Sequence, residues 1–268
     1  MRTFFRGLAV VVAAAVATLP FSSAAFAQTA TTAGANKLAA ASAPVNLSGV
    51  WRRSRRPPDK TRRYTIYELA FSITNDVPSM TPWAKEKYEA NKPNIGPRAV
   101  SLTETNDPIM QCFPPGVPRV YLIRGEPVEI AQIPGRILML FEYDHFVRNI
   151  FMDGRGHPKD LNPSWMGDAT GKWDGDTLVV DTVGFNDKTW LDNDGHPHSE
   201  DLHVVERIRR LNHETLTIDT TIEDPKAYTK PWGGHAVYEL KPDWNIGEMV
   251  CADNISYSDM QKQSEGSK

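Results

Sequence analysis

The chain reads as a mainly β protein: an antiparallel up-and-down meander with one short helix and a long N-terminal wrap. Three observations predict this. From residue 128 onward, β-branched and apolar residues alternate with polar ones over many short stretches. Turn signals separate those stretches: Pro134-Gly135, Asp153-Gly154, Asp174-Gly175, Asn212-His213 and Pro242-Asp243. The 20 Pro, 18 Gly and 7 Trp suit turns and strands better than a helix bundle. A closely spaced antiparallel meander closes into a barrel or a sandwich.

At 268 residues the chain can bury a sizeable core. A formal charge of −3 supplies no field for nucleic acid, leaving a small-molecule ligand or substrate as the expected partner. Arg2 and Arg6 precede an apolar run over 7–19, and Ala25-Phe26-Ala27 has a small-x-small cleavage pattern. Residues 1–27 therefore read as a signal peptide. The apolar run is shorter than the roughly 20 residues of a span, so no integral membrane segment is expected after cleavage. The mature chain is expected to be exported, to a bacterial periplasm. In an oxidising compartment the two cysteines, Cys112 and Cys251, have one intramolecular pairing open to them, a disulfide.

In chain order, residues 28–45 are Ala/Thr-rich and read as a flexible linker. A single domain follows over 46–255, opening at Asn46-Leu47-Ser48-Gly49-Val50-Trp51, with Gly49-Val50-Trp51 at the first strand. The basic run over 52–63 reads as a solvated loop, and 65–71 alternates weakly enough for one strand. Thr81 as N-cap and Pro82 at the first helical position start a short helix. The Pro-rich stretch 94–127 should lie over the domain, tied down by Cys112. Strands are expected at 128–132, 136–143, 146–152, 171–173, 177–182, 203–211, 215–223, 234–240 and 246–251, and 256–268 is a polar tail.

Gly49-Val50-Trp51 followed by a meander resembles the lipocalin-type (calycin) opening. The resemblance implies an up-and-down barrel whose Trp closes one end beneath a basic side chain. Over 47–252 the motifs LSGVW, PPGVPR, FEYDH, MDGRGHP, PSWMG, GDTLVVDTVGFND, GHPHSE and VVER resemble a family of uncharacterised exported bacterial proteins. That second resemblance implies export and carries no reaction with it.

Function must then come from residues. Alternation puts Asp144, Phe146, Arg148, Ile150 and Met152 on one face, where an arginine needs an anionic partner: Asp144, Glu206 or a ligand oxygen. Glu206 lies between Val204 and Ile208, an apolar setting that suits a general acid/base or a buried ion pair. His145, Asp153, Arg155 and His157 fall in adjoining turns that could reach the same rim. The connector between the strands at 177–182 and 203–211 carries Asn186, Asp187, Trp190, Asp192, Asp194, His196, His198 and Asp201, anchored by Phe185 and Trp190. His198 with Asp192 or Asp187 could move a proton. His196-x-His198 among carboxylates could alternatively hold zinc, although Pro197 breaks the strand geometry that would align the two rings.

The leading expectation is a cofactor-free acid/base enzyme (isomerase, lyase or hydrolase) acting on a small, partly apolar molecule at an open barrel end. Its candidate catalytic set is Asp144, His145, Arg148, Asp153, His157, Asp192, His198 and Glu206. Tyr143, Arg155, Trp165, Asn186, Trp190, His196 and Trp232 form the candidate ligand wall. A non-catalytic binder of a small hydrophobic ligand is the alternative, and a metal-dependent enzyme using His196 and His198 is the third. No GxSxG, GxGxxG, P-loop, CxxC or HExxH occurs, which argues against serine hydrolysis, nucleotide redox and phosphoryl transfer.

Overall fold

The computed structural model describes residues 45–54, 72–74, 77–123 and 126–253. The expected signal peptide, most of the linker and basic run, the strand at 65–71 and the tail lie outside them. Nine strands close into one barrel in sequence order: β1 (Gly49–Arg53), β2 (Val128–Ile133), β3 (Arg136–Phe141), β4 (Val147–Phe151), β5 (Asp168–Asp174), β6 (Thr177–Val183), β7 (His203–Arg210), β8 (Thr215–Glu223) and β9 (Trp232–Leu240). β9 pairs with β1 to complete the circle, so the sheet has no free edge. The helix α1 (Pro82–Ala90) starts where the sequence places it, with Thr81 Oγ1 accepting from Ala84 N.

Eight of the nine strand pairings are antiparallel; β4 and β5 run parallel, through Ile150↔Ala169 and Phe151↔Thr170. A parallel neighbour cannot be reached by a hairpin, so residues 152–167 return along the barrel before β5 begins. β3 and β4 are shorter than the sequence suggests because Asp144 (φ 50°) and His145 (φ 54°) both adopt left-handed backbone and form the turn. The strand expected at 246–251 is not formed. Once β9 meets β1 no edge remains to add to, and the segment makes only the isolated bridge Tyr143↔Met249 before a short helical turn at Cys251.

The two barrel ends differ. At one, tight connections at 134–135, 175–176 and 211–214 join the strands. Trp51 closes this end: its Nε1 donates to Leu47 O (2.8 Å), and the Arg210 guanidinium sits 5.1 Å over its ring. Arg210 is held there by the Asn46 and His213 carbonyls at 2.7 and 2.6 Å. The Trp beneath a basic side chain that the sequence suggests is therefore present.

At the other end lie the long connections, 142–146, 184–202 and 224–231, and the described part of the one between β1 and β2, 77–123. This end is filled rather than open. Phe185, Leu191 and Leu202 of the 184–202 connection are at most 1% exposed and belong to the main core. The wrap adds a 3₁₀ turn (Arg119–Leu122) whose four residues are all buried. Buried Arg119 grips Asp107 through two hydrogen bonds (2.8 and 2.5 Å) and donates to Asn193 Oδ1 (2.9 Å), fastening wrap to connection. The Cys112–Cys251 disulfide that the sequence predicts ties the same wrap to the end of the domain. Among the described residues no helix is long and apolar enough to cross a membrane.

Candidate functional site

The interior of the loop-bearing end is polar at its centre. Arg148 on β4 and Glu206 on β7 point inward, as alternation requires, and meet at bidentate distance: Nη1 to Oε1 at 3.0 Å and Nη2 to Oε2 at 2.5 Å. Arg148 also donates to Tyr121 Oη (2.5 Å) and to Thr182 Oγ1 (2.8 Å), so four of its five N–H groups are occupied. Burial opposes its charge, but Glu206 more than compensates and raises its pKa above the ordinary arginine value. Asp144 is not the partner. It sits in the β3–β4 turn, where Oδ1 accepts from Cys251 N (3.1 Å), because the left-handed turn ends the alternation that would have aimed it inward.

Beside this cluster is a cavity of about 10 Å³ whose polar lining is Arg53, Tyr121, Thr220, His235 and Tyr238, with Ile73, Leu122, Ile218 and Ala236 adding apolar surface. That volume is room for roughly one water-sized group. Arg53 follows Trp51 by two residues on β1 and so shares its inward face. Its Nη1 is sealed from solvent with no hydrogen-bond partner, and the buried Tyr238 hydroxyl opposite is likewise unpartnered. Burial lowers the Arg53 pKa and raises that of Tyr238. Arg53, Tyr121, Thr182 and Tyr238 were not singled out by sequence. The inward face of Arg53 was legible from its two-residue spacing to Trp51, but the basic run that begins there reads as surface. Tyr121 arrives from an irregular turn that no periodicity announces.

A second cluster lies in the 184–202 connection, over the same end. Asp192, fully buried, binds His196 Nδ1 (2.7 Å) and accepts from Ser72 Oγ (2.7 Å) and from the Asp194 and His196 backbone N–H groups. The His196 ring stacks on Tyr88 (4.8 Å) and packs against Trp232 (5.5 Å), while its Nε2 and the Trp232 Nε1 are buried without partners. Burial works against the His196 charge, yet Asp192 prevails and raises its pKa; Asp192, despite burial, is held below the usual carboxylate range by His196.

His198 is not part of this pair. It hydrogen-bonds Thr189 Oγ1 (2.8 Å) and Ser199 O (3.1 Å), and burial lowers its pKa. Contact with the carbonyl assigns the proton to Nδ1 and leaves Nε2 to accept from Thr189. His196 and His198 thus serve separate partners, and among the described residues no group of three or more metal-capable side chains converges.

The remaining candidates lie elsewhere. Arg155 and His157 reach the barrel's outer surface, not the rim above Arg148: both contact Asp168, and His157 also meets Asp181, which His203 shares (3.0 Å). Asp168 and Asp181 occupy outward positions on β5 and β6, which is why these turns fold outside. His145 and Asp153 are exposed. Trp165 stacks on Phe113 (5.4 Å), Trp190 lies under Arg119 (5.2 Å), and Tyr143 donates to Cys251 Sγ (3.2 Å), so each packs the wrap down. Asn186 Oδ1 accepts from Lys188 N (3.2 Å) within its own turn.

Comparison of the chain with protein-family models, with curated proteins and with solved structures gives no match in any of the three.

Proposed function

We propose that this is an exported barrel protein that binds a small organic molecule at the loop-bearing end, with one polar atom of it seated in the cavity between Arg53, Tyr121 and Tyr238. The observation that supports it most is the mismatch inside that cavity. Two buried polar groups, the Arg53 Nη1 and the Tyr238 hydroxyl, line it without partners, while the neighbouring Glu206, Asp192 and His198 have theirs. A buried, unsatisfied donor costs about 1–3 kcal/mol, a cost that a ligand would offset. Export, to a bacterial periplasm, belongs to the same reading. It is supported by the Cys112–Cys251 disulfide, which persists in oxidising compartments, and by the motif resemblance.

A thermal-shift screen of small organic acids, amides and alcohols tests binding, run on wild type and on Ala236→Leu, which fills the cavity wall. Compounds that raise the wild-type melting temperature should lose that effect in the variant. Equal stabilisation of both proteins would place binding elsewhere.

One observation favours a second reading, cofactor-free acid/base catalysis. His196 holds Asp192 through Nδ1 and leaves Nε2 unbound beside the Trp232 indole, the arrangement a proton-transfer group requires. Turnover of any substrate that survives His196→Gln at the wild-type rate would remove that reading.

A further inference from the structure

Resting on the small-molecule site just described, we infer that its ligand carries a compact monoanionic head, a carboxylate or a group of that size, received by the Arg53 guanidinium and the Tyr238 hydroxyl. Three charged side chains stand around the cavity and the cluster beside it, Arg53, Arg148 and Glu206, and His235 on the cavity lining is held by Asp219 (2.6 Å). Arg148 and Glu206 neutralise each other through a bidentate pair. Among the described residues Arg53 has no carboxylate partner, so these three side chains carry one net positive charge, and a half-buried guanidinium whose Nη1 is sealed from solvent is costly to keep without a counter-charge. The sealed Arg53 Nη1 and the Tyr238 hydroxyl are both able to donate. Oppositely charged oxygens would be met by a charge-assisted hydrogen bond from the first and an ordinary one from the second. The surroundings limit the size and charge of the guest. Ile73, Leu122, Ile218 and Ala236 add only apolar surface, and the volume admits about one water-sized group, so one oxygen of the head enters and the rest of the ligand stays outside the cavity. A dianion would bring one charge more than Arg53 matches. The net charge of the molecule is negative, so a general attraction for anions does not account for this pocket.

Isothermal titration of the mature protein, in low-chloride buffer, with acetate, hexanoate, sodium chloride, acetamide and hexanamide tests the inference. The acids are expected to bind at least ten-fold more tightly than the isosteric amides. Arg53→Met should weaken hexanoate at least ten-fold, and Tyr238→Phe, which removes only the unpartnered hydroxyl, should weaken it several-fold. Tighter binding of hexanoate than of acetate would assign an organic acid as the ligand. Equal binding of acetate, hexanoate and chloride would assign a free compact anion, which also upholds the monoanion pocket. Hexanamide binding as tightly as hexanoate, with both lost in Ala236→Leu, would overturn the charge assignment while leaving the small-molecule site standing. No heat from any probe would overturn both. A circular-dichroism melt confirms that each variant folds, and Tyr238→Phe carries the test if Arg53→Met does not.

Discussion

Arg148 and Glu206 show how a buried charge pair behaves inside a barrel. Each is at most 1% exposed, and each is satisfied chiefly by the other. Removing one partner strands the other, so Glu206→Gln and Arg148→Met should each cost about 3–5 kcal/mol in denaturant unfolding. The double substitution Arg148→Met/Glu206→Leu should recover most of the loss. Near-additive losses would show that the two act independently. The two connector histidines make an opposite pair of pH predictions. His196 has a raised folded pKa. Its contribution to stability is complete below the unfolded value of about 6.5 and is lost as pH rises through the folded value. Asp192, with its lowered pKa, adds stability that is present above about 3.9 and is lost as pH falls through its folded value. His198 has a lowered folded pKa, so its unfolded state binds more protons and stability falls as pH drops below about 6.5. His196→Gln should therefore flatten the decline of melting temperature on the alkaline side of 6.5, and His198→Gln the decline on the acid side. The same slope change from both variants would contradict the assignment.

Strand elements were the most legible part of the sequence, because inward positions repeat every two residues and the turns carry Gly or Pro. The sequence located all eight strands from β2 to β9, and the first expected one, at Gly49-Val50-Trp51, lies within β1. Alternation failed where backbone geometry interrupts it. The left-handed turn at Asp144 and His145 redirected a candidate site residue, and barrel closure left the 246–251 segment without an edge. The inward-facing Arg148 and Glu206 were readable for the same reason as the strands, whereas Asp192–His196 depended on a compact connector whose contacts have no period. One contact between elements is narrow enough to test. A Cβ on Gly234 of β9 would lie 1.6 Å from the Ile73 carbonyl oxygen, so the wrap crosses β9 only because that residue is glycine. Gly234→Ala should cost roughly 1–3 kcal/mol in urea unfolding, as overpacking does. A variant as stable as wild type would show that the crossing is not maintained in solution.

At the scale of the whole molecule, the barrel separates two tasks by end. Trp51, Arg210 and the tight connections close one end. The wrap, the disulfide and the 184–202 connection build the other, where Arg53, Tyr238, His196 and Trp232 are among the side chains with an unpartnered buried atom, as are Arg148 and Asp194. Buried polar groups are normally hydrogen-bonded, and the open pair Arg53 and Tyr238 facing one cavity is the ground for the proposed binding site. Backbone and side-chain NMR shift mapping, with the tightest compound from the thermal-shift screen titrated into isotope-labelled mature protein, tests that claim most directly. The account predicts shifts centred on Arg53, Tyr121, Ile218 and Tyr238, fading toward Trp51 and Arg210. Shifts centred on the outer His157–Asp181–His203 row, or on the Trp51 end, would contradict it.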